Sequence, residues 1–183
     1  MKKTTRTLTE GAAMVALASV LSCLKFFELP QGGSICIGML PIILFSVRYG
    51  VGSGLIASLA FGIEQLFFDG AYAWGWTSMI LDYVIAFALL GFSGIFRGKK
   101  GGVFYGTLLG CALRFIVHFI SGITIYRIYA PTEVFNHTFT NPYLYSLIYN
   151  GSYVFIDMIF CLIVFAVLQK PMRKYFVAED LRT

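Results

Sequence analysis

Six apolar runs fill most of the 183-residue chain and leave little else from which a fold can be built. They lie at about 10–24, 35–47, 51–68, 78–96, 103–126 and 143–168. A helix that crosses a bilayer needs about 20 mostly apolar residues, and all but the short second run approach or exceed that length. Turn-forming or charged stretches separate them: Pro30-Gln31-Gly32-Gly33, Arg48-Tyr49-Gly50, Asp69-Gly70, Gly98-Lys99-Lys100-Gly101-Gly102 and a polar run from 127 to 142. Only 13% of residues are charged, against roughly 25% in soluble domains, and 58% are hydrophobic. A soluble sphere of this size cannot hide so much apolar surface. The expectation is an all-α integral membrane protein, one transmembrane domain over 1–183 with six membrane-crossing helices. Disordered chains, nucleic-acid modules and cytosolic enzymes are excluded. No nucleic acid is needed to explain the net charge of +5, because basic loops belong on a cytoplasmic membrane face.

Six spans leave no room for a nucleotide-binding domain. The nearest approach to a phosphate loop is GIFRGKK at 94–100, whose glycines stand one residue too close and whose Lys100 occupies the place of the magnesium-binding hydroxyl. The protein is not expected to hydrolyse ATP by itself. Cys23, Cys36, Cys111 and Cys161 all lie in apolar stretches and form no CxxC pair, so neither a metal site nor a disulfide framework is expected. They read as small packing residues, and no cofactor is implied. Lys2, Lys3 and Arg6 ahead of the first run imitate a secretory leader, with Val20-Leu21-Ser22-Cys23 close to a lipoprotein cleavage box. Five further apolar runs rather than a polar mature domain argue against that reading.

Charge sets the orientation. With six spans, the termini and the second and fourth loops share one side of the membrane. That side holds 11 of the 14 lysines and arginines. The positive-inside bias therefore places both termini in the cytoplasm.

Ionisable groups at membrane depth are costly and normally face one another or a cavity. Here they are Glu64, Asp82, Arg114, His118 and Asp157, joined by Asn150. The topology puts most of them in one layer towards the outside. Arg114 and His118 share a helix face with Thr107 and Ser121. Ser78, Asp82 and Ala86 share another, and Asn150 and Asp157 lie on one side of the last span. Taken singly, each reads most simply as structural, with Asp82 paired to Arg114 and His118 an interior histidine. Taken as a set at one depth, they read as a binding site open to the exterior. Three carboxylates against one arginine, with Tyr83, Tyr126, Tyr145 and Tyr149 in the same layer, suit a cationic, ring-containing solute. Tyr129, Tyr143, Trp74 and Trp76 read instead as an interfacial aromatic belt.

Several stretches taken in order carry a resemblance. They are Leu81-Asp82-Tyr83, Leu113-Arg114 with His118 and Ser121-Gly122, and Tyr145-Ser146-Leu147-Ile148-Tyr149-Asn150, with Pro30-Gln31-Gly32-Gly33-Ser34 and Pro41 ahead of them. From Leu8 to the sixth span the chain resembles the thiamine-specific substrate-binding (S) components of energy-coupling factor (ECF) transporters. The resemblance implies high-affinity capture of thiamine from outside a prokaryotic plasma membrane. It implies an aminopyrimidine hydrogen-bonded at Asp82, an aromatic stack at Tyr126, and a pocket completed by Tyr83, Arg114, His118, Tyr145 and Asn150. It makes the loop between the first two spans the gate, and it implies release inside through a transmembrane coupling protein and two ATP-binding subunits. Some members carry Glu, Lys and Trp where this chain has Asp82, Arg114 and Tyr126. Ala12 and Ala16 form a small-xxx-small step on the first span. Spacing alone allows internal packing there equally well, and the resemblance assigns the step to the coupling protein.

Three other readings stand beside this one. The first is an S component for another vitamin or pyrimidine precursor. The second is a small proton-coupled exporter using Glu64 or Asp82 as carrier. A membrane enzyme is the third; it has acid–base groups but no nucleophile motif.

Overall fold

The short second run, least like a membrane span in the sequence, is the centre of the protein. In the computed structural model, which describes residues 3–29, 32–69, 75–129, 133–134 and 137–181, it forms α2, Met39–Tyr49, and every residue from Met39 to Arg48 is buried. The sequence MLPIILFSVR is apolar on all sides, which suits a helix surrounded by others. Around it pack α1 (Lys3–Cys23), α3 (Val51–Asp69), α4 (Trp76–Phe96) and α5 (Gly102–Tyr129), and α6 (Pro142–Leu168) packs along α5. A short α7 (Arg173–Phe176) follows. Two small hairpins lie in the connections: β1 (Phe27–Glu28) pairs antiparallel with β2 (Ser34–Ile35), and β3 (Glu133–Val134) with β4 (His137–Thr138).

Among the described residues the elements are therefore all helices but for these hairpins. Among the described residues, four helices are long and apolar enough to cross a membrane: Val51–Phe68, Trp76–Phe96, Gly102–Ile125 and Pro142–Leu168. Their outward faces carry large apolar side chains such as Phe67, Ile56, Ile116 and Val167. At 11 residues α2 is too short for that criterion. In α1 the first turns, KTTRTLTE, are polar.

Local chemistry sets the joints. Gly50 alone separates α2 from α3; its φ of +90° is one that side chains resist, and its N–H returns to the Ser46 carbonyl at 2.7 Å. Asn141 caps α6 by accepting the Tyr143 N–H at 2.9 Å, with Pro142 at the first helical position. In α4 the winding changes twice. It is π-type over Met79–Ile85 and tight 3₁₀ over Leu89–Phe96. The tight stretch lies directly on the start of α3, where a Cβ on Gly91 would stand 2.5 Å from the Leu55 nitrogen. The wide stretch carries Asp82, and such widened turns recur at functional sites.

The cysteines divide. Cys111 and Cys161 are buried packing residues as expected, whereas Cys36 is half-buried in the loop before α2 and Cys23 is exposed at the end of α1. Tyr143 and Trp76 are exposed. Trp74 and the Tyr129 side chain lie outside the described residues.

Candidate functional site

On α6 the buried face reads Tyr145, Ser146, Tyr149, Asn150, Tyr153, Val154, Asp157, Cys161 and Phe165, a three- and four-residue spacing that turns one stripe inward. On α5 the inward stripe holds Thr107, Arg114, His118 and Ser121. Between these stripes, α3, α4 and the β1–β2 loop lies a cavity open at one end. Asp82, Tyr83, Arg114, His118, Tyr145 and Asn150 all line it. Tyr126 lies on α5, but its side chain is outside the described residues.

Asp82 is the most fully held of these groups. Its Oδ2 accepts the Ser78 hydroxyl at 2.7 Å and the Ser121 hydroxyl at 2.6 Å, and its Oδ1 lies 2.9 Å from His118 Nδ1. The far side of the ring fixes the tautomer. Arg114 Nε–H donates to His118 Nε2 at 3.2 Å, so the proton sits on Nδ1 and points at Asp82. Asp82 and Arg114 are thus joined through the imidazole. The ion pair of Arg114 is with Asp157 on α6, at 3.5 Å, and not with Asp82 as the simplest structural reading of the sequence had it. The Arg114 guanidinium also lies over the Phe87 ring, 4.5 Å from its centroid.

Asn150 is a strut between helices. Its Nδ2 donates to the His118 carbonyl and to Ser146 Oγ, both at 3.0 Å, and its Oδ1 accepts the Tyr153 hydroxyl at 2.9 Å. Gly122 makes room for it, since a Cβ there would fall 2.6 Å from Asn150 Nδ2. The Tyr145 and Tyr149 rings lie parallel with centroids 5.9 Å apart, and Tyr153 meets Tyr149 edge-on at the same distance.

The loop between α1 and α2 is fastened to this wall at two points. Gly33 N–H donates to the Tyr149 hydroxyl and Cys36 N–H to Asp157 Oδ1, both at 2.9 Å. Gly33, Ser34 and Cys36 consequently line the cavity. Phe61, Gln65, Ser78, Phe87, Tyr149 and Tyr153 complete much of the remaining lining. Glu64 lies elsewhere, accepting a hydrogen bond from Ser19 on α1. Its sequence neighbour Gln65 is the wall residue. A neutral amide inside an apolar run escapes a search for charges, although its spacing of four from Phe61 was there to be read.

Ala12 and Ala16 are exposed on α1, while Gly11, Ala18 and Ser19 of the same helix are buried. The small-xxx-small step therefore lies on an exposed face of α1.

Comparison with known proteins identifies the lineage. The family model for thiamine transporter protein (Thia_YuaJ) matches residues 8–177. The thiamine transporter ThiT of Bacillus subtilis (strain 168) is 35% identical over 176 residues, covering 88% of each chain. That of Lacticaseibacillus paracasei is 28% identical, covering 94% of this chain and 91% of its own. The solved structure of ThiT from Listeria monocytogenes superposes with a TM-score of 0.81 over 96% of this chain and 99% of that one; at 23% identity it shows a shared fold. The family that the sequence resembled is the one matched, its relatives are named as transporters, and the chain belongs to the thiamine transporter protein (Thia_YuaJ) family.

Proposed function

We propose that the chain is the thiamine-binding S component of an ECF-type uptake transporter in a prokaryotic plasma membrane. It captures thiamine from outside and releases it inside when joined to a transmembrane coupling protein and two ATP-binding subunits, with no enzymatic step of its own. The observation that carries the reading is the setting of Asp82, a carboxylate fixed by two serines and a histidine on the wall of a tyrosine-rich cavity. Thiamine offers an aminopyrimidine and a cationic thiazolium. Arg114 is neutralised by Asp157 and His118 is held as the neutral tautomer. Asp82 is left to provide the cavity's negative charge, and the tyrosine faces suit a cationic ring. In this reading Asp82, Tyr83, Arg114, His118, Tyr126, Tyr145 and Asn150 form the pocket. Ala12 and Ala16 face the coupling protein.

Helices α1 to α6 all traverse the membrane in this reading, with both termini cytoplasmic. The cavity lies at the end of the bundle formed by the α1–α2 loop, the start of α4 and the start of α6. Arg6, Arg48, Arg97, Lys99, Lys100, Lys170, Arg173 and Lys174 belong to the opposite ends of those helices, and by the positive-inside rule this distribution supports an outward-facing cavity mouth.

Calorimetric titration of the purified protein in detergent tests the proposal, with riboflavin as control. Saturable one-to-one binding of thiamine alone is expected. A folded protein that ignores thiamine overturns the reading.

A further inference from the structure

The polar groups of the cavity wall are largely spent on one another. His118 uses both ring nitrogens, one towards Asp82 and one towards Arg114. Asn150 uses both N–H groups and its carbonyl oxygen. Asp82 already accepts three hydrogen bonds, and a carboxylate has about four lone-pair positions. Gln65 is the contrast. It is 5% exposed and lines the same cavity, and its carboxamide has no hydrogen-bond partner among the described residues. Its oxygen and nitrogen are not among the side-chain atoms sealed from solvent without a partner, so the amide reaches the open cavity, where a ligand or water completes its hydrogen bonds. The helices set its place. Gly62 packs its bare backbone against the Tyr83 carbonyl, so α3 meets α4 one residue from Asp82, and Gln65 follows within the next turn.

We propose that Gln65 is a ligand-contacting residue, its carboxamide hydrogen-bonding a neutral donor–acceptor edge of the solute in the cavity that Asp82 also lines. The inference rests on the thiamine reading. The amine and adjacent ring nitrogen of an aminopyrimidine form such an edge, the same pattern that glutamine and asparagine meet on adenine. A carboxamide matches it with one N–H and one carbonyl, without adding a second negative charge to the pocket.

Gln65→Met keeps the length and unbranched shape of the side chain and deletes only the amide. The melting temperature of the ligand-free variant is expected to stay level, since the amide faces the open cavity and bonds no described residue. Thiamine affinity by calorimetry is expected to fall about tenfold, the worth of a buried hydrogen bond. Unchanged affinity overturns the inference and leaves the thiamine reading standing. A loss of affinity matched by a fall in ligand-free melting temperature also overturns it, because it assigns Gln65 to the framework. Should Gln65→Met fail to fold, Gln65→Asn takes its place; it withdraws the amide by one methylene and is expected to lose affinity with ligand-free melting unchanged. If the native protein does not bind thiamine, the parent reading falls and this inference with it.

Discussion

At the scale of single residues, the site depends on the direction of its hydrogen bonds. Asp82 accepts from Ser78, Ser121 and His118 at once, which a carboxylate does without adjustment. An asparagine there must aim its NH₂ either at the two serines, forcing both hydroxyls to turn, or at the His118 N–H, where two donors collide. It also removes the negative charge. Asp82→Asn is therefore expected to weaken thiamine binding at least about tenfold by calorimetry, and unchanged affinity would take Asp82 out of the site. The components of this arrangement were legible in the sequence because charges within apolar runs stand out, and helical spacing put Arg114, His118 and Ser121 on one face. The pairing was not. Spacing along one helix cannot say which carboxylate on another will meet Arg114, and the one that does, Asp157, comes from α6. Gln65 stayed hidden for the opposite reason, as it carries no charge to mark it.

At the scale of elements, α6 is the bearing surface. Through Asp157 it holds both the α1–α2 loop, by the Cys36 N–H, and α5, by Arg114. The pair is buried, with side-chain exposures of 8% for Arg114 and 0% for Asp157, so removing one partner strands the other. Asp157→Leu is expected to lower stability by about 3–5 kcal/mol. Arg114→Met combined with Asp157→Leu should recover much of that loss, because two apolar side chains of similar size leave no uncompensated charge. Chemical or thermal denaturation in detergent measures both. Equal losses in the single and double variants would mean that Asp157 acts through the loop and not through Arg114. The helices themselves were readable as apolar runs, since α3 to α6 begin and end within about three residues of those runs. The central place of α2 and the changes of winding in α4 were not. A run of apolar residues looks the same whether neighbours or lipid surround it, and the winding responds to backbone contacts such as Gly91 on Leu55.

At the scale of the whole molecule, the two ends of the bundle do different work. Away from the cavity, Arg48 bonds Glu10 at 2.9 Å and Asp180 at 3.0 Å, and Arg6 reaches Asp180 at 2.7 Å, so the start of α1, the end of α2 and the C-terminal turn are tied together. Burial works against the charged form of Asp180, but the hydrogen bonds and charge of Arg48, with the charge of Arg6, outweigh it and hold its carboxyl below the usual aspartate range. A depressed carboxylate contributes stability that is fully present above the unfolded value, near 4. That contribution is lost as pH falls through the folded one. Asp180→Asn should thus reduce the melting temperature at neutral pH and lose less of it on acidification than the native chain; parallel acid limbs would deny the tie this role. The neighbouring α1 surface tests how the molecule meets its partner. Ala12 and Ala16 are exposed, and the buried residues of the helix lie on its other face, so a large side chain at position 16 meets nothing within the chain. Ala16→Trp is expected to leave thiamine affinity and melting temperature unchanged in the isolated protein. In vesicles carrying the coupling protein and ATP-binding subunits, the same variant should abolish uptake, because close approach of helices depends on small residues. Loss of binding would make the step an internal packing surface after all. Intact uptake would move the docking face to another side of the bundle and leave the capture of thiamine untouched.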